Sequence, residues 1–350
     1  MLVHLIQGFL EQGRSVDLLL VRQDSPYLAQ LPKAVRRIPL GTRHTWLAVL
    51  PLAAYLRRKQ PRVLLAVKDR AGRAALFARR LAGTHTPIVL RLGTHLSTAM
   101  AQRFWIERRL RYGAIRRTYP KLNRIIAVSQ GVAADTAAIT GLPLASIAVI
   151  PNPVITPTLY RRAAEPCPHP WFRLGEPPVI LGAGRLQRQK DFGTLIRAFA
   201  RVRQKRPCRL VILGEGGERP ELETLVRELG LMDQVDLPGF QENPYPFFAA
   251  AQLFVLSSAW EGSPNVLTEA MALGTPVVAT DCPSGPAELL AGGRLAPLVA
   301  VGDVVNLARA MENTLAHPPA PAQLQQGVAA YNQAESARRY LEVLESLAIP

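Results

Sequence analysis

From residue 62 onward the chain keeps one rhythm: four to six apolar residues, a turn, then a helical stretch with one apolar face. Apolar runs at 62–67, 87–92, 124–129 and 147–150 alternate with helical patterns at 70–81, 99–117 and 131–139. The rhythm resumes with runs at 179–183, 210–213, 235–237, 253–256 and 276–279, separated by helical patterns at 191–205, 220–229, 246–251 and 265–273. Strands so short and so uniformly apolar are covered on both faces, the situation of parallel strands joined by helical crossovers. The pattern therefore predicts an α/β fold, closed by helices at about 303–315 and 335–347.

The rhythm breaks once. Between Pro151 and Pro178 the chain is rich in proline (Pro151, Pro153, Pro166, Pro168, Pro170, Pro177, Pro178) and has no periodicity, which predicts an inter-domain segment. The expected organisation is a doubly wound domain over 1–153, a linker over 154–178, a second doubly wound domain over 179–332, and a C-terminal helix over 333–350 packing back on the first domain. Two such Rossmann-like domains would face each other across a ligand-binding cleft. The start is unusual. Residues 3–12 read as a helix stopped by Gly13, followed by a strand at 16–21 and a helix at 45–59, whereas a doubly wound domain opens on a strand and a Gly-rich turn. The first strand is missing, which leaves three readings: a true start upstream of Met1, an incomplete sheet, or a gap filled by a partner.

Charge is uneven. Residues 1–165 carry 26 Lys+Arg against 7 Asp+Glu, net +19, and residues 166–350 carry 16 against 19, net −3. A basic half implies an anionic partner or simply an Arg-rich composition. Within it, 99–119 mixes Phe104, Trp105, Ile106, Leu110 and Ile115 with Arg103, Arg108, Arg109, Arg111, Arg116 and Arg117. That is suited to an anionic membrane surface, or to a helix packed on a sheet with a solvated Arg face. Nucleic acid is not expected, since no stacking-aromatic pattern or nucleic-acid module accompanies the charge. Cys167, Cys208 and Cys282 lack disulfide or metal-ligand spacing, pointing to a reduced, cytoplasmic setting. No run reaches the roughly 18 apolar residues of a spanning helix.

Three strand-end turns carry chemistry. Gly182-Ala-Gly184-Arg185 through Lys190-Asp191 follows the first strand of the second domain; its spacing breaks the dinucleotide fingerprint at Gln187, which argues against an NAD-linked dehydrogenase. Arg185 and Lys190 bring two cations there, either to clamp a diphosphate or as a solvated face. Gly214-Glu215-Gly216-Gly217 ends the next strand, as a turn alone or as one approaching a nucleobase. Then Glu261-Gly262-Ser263-Pro264-Asn265-Val266-Leu-Thr-Glu269 leads a loop into a helix, with Ser263 expected as N-cap and Pro264 at its first position. Free N–H groups at such a helix start attract phosphate, here between two carboxylates.

These motifs, followed by Ala-Met-Ala-Leu-Gly-Thr-Pro-Val-Val-Ala-Thr-Asp281 and preceded by Ala127-Val-Ser-Gln-Gly131 and Ile150-Pro-Asn-Pro-Val154, resemble the family 4 retaining glycosyltransferases, of GT-B fold. The resemblance covers nearly the whole chain and is strongest over 178–312. It implies a UDP- or GDP-sugar donor as substrate and no further cofactor. Arg185 and Lys190, with Gly184, would hold the diphosphate, and Glu215 and Gly216 would lie near the base. Glu269 would accept the ribose hydroxyls, Glu261 would contact the transferred sugar at its reacting carbon, and the backbone of Gly262, Ser263, Asn265 and Val266 would cradle the distal phosphate and sugar. No metal is expected. The chain departs from the family at Ser263-Pro264, where Phe-Gly is usual, and at Gly93, where relatives often carry a His; His95, two residues on, is the candidate catalytic histidine or an ordinary loop residue. The implied activity is metal-independent, retaining transfer of a sugar to a lipid-linked or cell-surface glycan acceptor, in the cytoplasm or peripherally at the inner membrane face. The alternative is a nucleotide-sugar-binding protein with no transferase activity or a partner-dependent one. Glu261→Ala and Lys190→Ala are expected to abolish transfer while leaving the fold intact.

Overall fold

The computed structural model describes residues 1–24, 26–101 and 103–347. The chain forms two compact units: Met1–Pro153 with the C-terminal segment from Gln333, and Val154–Asn332.

In the first unit, α1 (Leu2–Glu11), β1 (Asp17–Leu20), β2 (Arg36–Pro39), α2 (Val49–Lys59), β3 (Leu64–Val67), α3 (Asp69–Ala82), β4 (Ile88–Leu92), α4 (Leu96–Ala101), α5 (Trp105–Thr118), β5 (Arg124–Ala127), α6 (Gln130–Thr140) and β6 (Ile147–Val149) follow in order. Strands β3-β4-β5-β6 form one parallel sheet, while β1 and β2 pair only with each other, also in parallel. The two sheets nonetheless share layers: Leu19 and Ile38 pack against the cluster that holds Ala66, Leu90 and Ile125. The other face of β4 and β5 is covered by α1 and the last helix of the chain, Gln333–Glu345, through Leu5, Phe9, Ala337 and Tyr340.

The second unit contains α7 (Pro157–Ala163), β7 (Val179–Ala183), α8 (Phe192–Lys205), β8 (Arg209–Leu213), α9 (Arg219–Glu228), β9 (Val235–Gly239), α10 (Tyr245–Ala250), β10 (Leu253–Leu256), α11 (Asn265–Ala272), β11 (Val277–Thr280), α12 (Pro286–Leu289), β12 (Leu298–Val299), α13 (Val304–Ala316) and α14 (Pro321–Gly327); the helix at Gln333–Glu345 is then α15. The six strands are parallel in the order β12-β11-β10-β7-β8-β9. The order reverses between β7 and β10, and in sheets of this kind ligands bind at that switch, outside the carboxyl ends of the strands. Helix α8 shows why the sequence folds this way. Asp191 sits in the left-handed region (φ 46°) and its carboxylate accepts the Thr194 amide at 3.3 Å, while Phe192, Leu195, Ile196, Phe199 and Val202 are all buried. Each such side chain contributes about 1.5–3 kcal/mol of burial.

Four expectations change. The stretch at 154–178 is not a free linker: Leu159 of α7 is buried, and Cys167, Trp171 and Phe172 pack on the core of the second unit. The single helix at 99–117 is two, because Phe104 is extended (φ −57°, ψ 142°) and starts α5 afresh; Gln102 between them lies outside the described residues. Strand β2, where no strand is expected between 16–21 and the helix at 45–59, is Arg-rich and mostly exposed, so it lacks the apolar signature of the others. Finally, Ser263 does not cap α11. Pro264 is the N-cap, with its carbonyl accepting the amides of Leu267 and Thr268 at 3.1 and 3.2 Å. A ψ of 97° takes Pro264 out of the helix, so its missing N–H falls outside the first turn.

Candidate active site

Three loops meet at the switch point of the second unit. The β7–α8 loop runs beside the loop after β10: the Ala259 amide donates to the Gln189 carbonyl at 2.8 Å, and the Gln189 side chain donates to the Trp260 carbonyl at 2.9 Å. This fixes Lys190 and Glu261, 71 residues apart, in direct contact, Nζ to Oε1 2.5 Å. Their side chains are only 16% and 8% exposed. Ser258 donates a second hydrogen bond to the same Oε1 at 2.7 Å, and the Glu261 backbone is held on both sides by Pro283 and Ser284. Behind it the Cys282 thiol is pushed up to about 12, by burial first and by the Glu261 charge in addition. That thiol is an inert wall of the site, not a nucleophile.

Glu269, on the second turn of α11, is different. No hydrogen bond or ion pair engages its carboxylate among the described residues, and desolvation pushes its pKa up to about 7 against the pull of Lys190. A carboxylate in that condition gains from any hydroxyl donor that reaches it. Ser263 Oγ is likewise buried and makes no hydrogen bond of good geometry; it lies beside the hydroxyl of Tyr331, whose pKa burial raises to about 12 against the pull of Ser263. Asn265 and Val266 occupy the first turn of α11, where helical geometry leaves N–H groups pointing outward.

The glycines of the β8 turn have a reason that the sequence did not disclose. A Cβ on Gly214 (φ 131°) would fall 1.9 Å from the Gly184 carbonyl oxygen, and one on Gly216 would fall 2.2 Å from that of Leu186. The close approach is thus to the neighbouring loop, clamped by Leu186 N–H to Glu215 O and Glu218 N–H to Leu186 O, both 3.0 Å. The Glu215 side chain is held by Arg219 at 2.8 and 3.0 Å. Gly184 itself leaves room for the Lys190 stem, 2.9 Å from where a Cβ would lie. Arg185 is exposed and its guanidinium makes no ion pair among the described residues, so it remains available to a ligand.

His95 belongs to the first unit, at the start of α4. Its Nδ1 takes contacts from the Thr98 and Ser97 hydroxyls (2.9 and 3.2 Å) and lies 3.7 Å from Asp135, which also accepts the Ser97 amide at 3.1 Å. Nε2 has no partner among the described residues. At Gly93, the space a side chain would take is filled by Arg91: a Cβ there would lie 2.7 Å from Nη1. Sequence reasoning missed Ser258, Gln189 and Tyr331: Gln189 and Tyr331 are brought in by contacts of long chain separation, and Ser258 by one with Glu261 three residues along the same loop.

Two regions of the chain match family models: "Glycosyltransferase Family 4" over residues 1–156 and "Glycosyl transferases group 1" over 177–317. The chain belongs to the family 4, group 1 glycosyltransferases. It is 40% identical over 136 residues to the N-acetylgalactosamine-N,N'-diacetylbacillosaminyl-diphospho-undecaprenol 4-alpha-N-acetylgalactosaminyltransferase of Campylobacter jejuni, covering 39% of this chain and 37% of that protein. It is also 40% identical over 139 residues to the lipopolysaccharide core biosynthesis glycosyltransferase LpsE of Rhizobium meliloti, covering 40% of each. The chain thus matches well under half the length of these curated relatives. Among solved structures, the apo lipopolysaccharide outer core galactosyltransferase WaaB aligns with a TM-score of 0.72 at 19% identity, over 99% of this chain and 94% of that one. Anabaena HepE in complex with UDP aligns with a TM-score of 0.74 at 22% identity, over 98% and 94%. These likenesses concern the fold, which is the GT-B fold of α/β units with parallel sheets.

Proposed function

We propose that the protein is a retaining, metal-independent glycosyltransferase that moves a sugar from a nucleoside diphosphate, UDP or GDP, to a lipid-linked or cell-surface glycan acceptor. The observation that carries this reading is the Lys190–Glu261 pair at the switch point, with Arg185 free and the first turn of α11 beside it. As the bond from the sugar to the diphosphate breaks, negative charge grows on the leaving phosphate and positive charge on the sugar ring. Lys190 and Arg185 would stabilise the first and Glu261 the second, so one short ion pair serves both ends of the breaking bond. Glu269 would accept the ribose hydroxyls and thereby relieve its own desolvation. With two cations on the diphosphate, the role a divalent ion could fill is taken by side chains. Names of the relatives, which include a diphospho-undecaprenol-dependent transferase and lipopolysaccharide enzymes, favour a lipid-linked or surface glycan acceptor.

Placement at the membrane surface is part of the same proposal. No described helix is long and apolar enough to cross a membrane. The amino-terminal end of α5, however, exposes Phe104, Trp105, Ile106 and Leu110 together with Arg103, Arg108 and Arg109, so this end is not packed on the sheet. Aromatic, aliphatic and cationic side chains in one turn suit an anionic bilayer surface.

The test is calorimetric binding of UDP- and GDP-sugars alongside donor hydrolysis and transfer assayed with and without EDTA, the product anomer being read by proton NMR. Turnover unchanged by EDTA with the donor's anomeric configuration kept is expected; donor binding without any turnover would return the nucleotide-sugar-binding alternative.

A further inference from the structure

The first unit holds a buried cation that sugar transfer as described does not use. Arg91 is the fourth residue of β4, paired with Val67 and Ile126 at the carboxyl end of the sheet. Its chain neighbours Leu90 and Leu92 join the cluster under α2 and α3, so Arg91 faces the opposite layer, that of α1 and α15. It is 7% exposed. Nη2 donates to Asn152 Oδ1 at 2.6 Å, while Nε is buried with no hydrogen-bond partner. Beside it the Tyr340 hydroxyl is also buried and makes no hydrogen bond of good geometry; burial weakens its acidity, and the charge and close approach of the Arg91 guanidinium partly restore it. Among the described residues no carboxylate lies within ion-pair distance of Arg91.

A guanidinium cannot shed its proton, so this charge persists. An ordered water would satisfy Nε and the Tyr340 hydroxyl, but it would leave the charge unbalanced; an anion does both. Access is provided by Gly93, which is partly exposed and whose φ lies outside the left-handed region, so the backbone does not require glycine there. Space does: any Cβ at 93 would press on Nη1 at 2.7 Å.

We propose that Arg91, Asn152 and Tyr340, reached past Gly93, form an anion subsite of the first unit that takes a phosphate group, and this rests on the transferase reading insofar as the phosphate is the acceptor's. The chemistry is the same for free phosphate and for a lipid-borne one.

The test uses the 15N-labelled full chain and the arginine Nε–Hε signals, with Arg91 assigned by its loss in Arg91→Lys. Titration with inorganic phosphate, against chloride at matched ionic strength, and with geranyl phosphate is expected to shift the Arg91 signal saturably with phosphate and not with chloride. Half-saturation at lower concentration by geranyl phosphate identifies a lipid-borne source, and the reverse order a free one. Gly93→Ala, with its Arg91 signal retained, is expected to weaken the response about tenfold, the equivalent of roughly 1.4 kcal/mol. An Arg91 signal that ignores both phosphates, or responds equally in Gly93→Ala, overturns the subsite and leaves Arg91 as a strut. UDP-sugar binding in the same sample separates the two readings: its presence with a silent Arg91 sinks only the subsite, and its absence with a responsive Arg91 sinks only the transferase reading.

Discussion

The carboxyl ends of the two parallel sheets are built on opposite terms. In the second unit the central strands β7 and β10 are fully buried, and above them Lys190 is matched by Glu261, while Glu269 and Arg185 have no ion-pair partner among the described residues. In the first unit β4 is equally buried and Asp69 is matched by Arg73 and Arg111, but β1 and β3 are only partly buried, Arg91 stands without a counter-charge among the described residues, and the start of α5 is open to solvent. A matched ion pair is held in place before a ligand arrives, whereas an unmatched charge is completed by what binds. On the proposed function, the Lys190–Glu261 pair would be the preorganised part of the donor site, and Arg91 the part left to its partner.

The largest effects belong to the matched pair. Truncating either partner leaves the other buried and unpaired, which costs about 3–5 kcal/mol. Lys190→Ala and Glu261→Ala should therefore lower the thermal midpoint as well as abolish transfer, with the fold retained below that midpoint. The double variant Lys190→Met/Glu261→Leu removes both charges; it should be inactive yet closer to the parent in stability than either alanine. Thermal melts of the four proteins check this, and a double variant less stable than either alanine would mean that neither partner suffers from the loss of the other.

Next in size is the crossing of the β7 and β8 turns. Gly214→Ala places a Cβ 1.9 Å from a backbone oxygen at a φ of 131°, and neither atom can yield without moving a strand. A loss of at least about 2 kcal/mol is expected in urea unfolding. Gly217→Ala, with nothing within 4 Å, should be nearly silent in the same measurement.

That contrast also shows what was legible in the sequence. Strands β7, β8, β10 and β11 of the second unit were readable because each holds a continuous apolar run, and Asp191 was readable as a cap from its place before Phe192. The short elements α12, β12 and α14 passed unseen because four, two and seven residues carry too little period. Strand β2 passed because Arg36 and Arg37 mask it. In the site, Lys190 and Glu261 were named from their motifs, but not their contact, which depends on a pairing of β7 with β10 across an inserted β8 and β9. Ser263 was misplaced by one position because composition does not reveal a ψ. Arg91 was invisible: nothing in Ile-Val-Leu-Arg-Leu says which face is shared with Tyr340.

A smaller effect concerns proton linkage at Glu269. Its folded pKa, about 7, lies above its ordinary value, so burial favours the protonated form. The sign follows: the stability tied to this group is present below the unfolded value near 4.5 and is lost as pH rises through about 7. Ribose hydroxyls favour the carboxylate, so UDP-sugar affinity should rise with pH up to about 7, by at most about tenfold per pH unit, and then level off. Calorimetry from pH 5.5 to 8 is the check, using a nucleotide sugar because its diphosphate does not titrate there. Glu269→Gln should flatten the profile; an equally sloping one would place the titration elsewhere.

The smallest effect on the molecule itself is expected where exposure is greatest. Trp105 and Leu110 are 59% and 70% exposed, and Arg108 and Arg109 between them are exposed as well. Replacing both by Ser removes little that is buried, so stability should stay within about 0.5 kcal/mol. The same change removes a large part of the apolar area that could enter a bilayer, at roughly 25 cal/mol per Å², and leaves Phe104 and Ile106. Co-sedimentation with vesicles containing anionic lipid should therefore fall sharply while the melt and UDP-sugar binding stay put. Arg108→Gln/Arg109→Gln should lower binding to anionic vesicles and steepen no melt, with the difference erased by high salt, because its contribution is screened charge. If instead the serine pair unfolds the protein, α5 is packed and not presented, and the open character of the first unit, on which the contrast between the two sheet ends depends, fails with it.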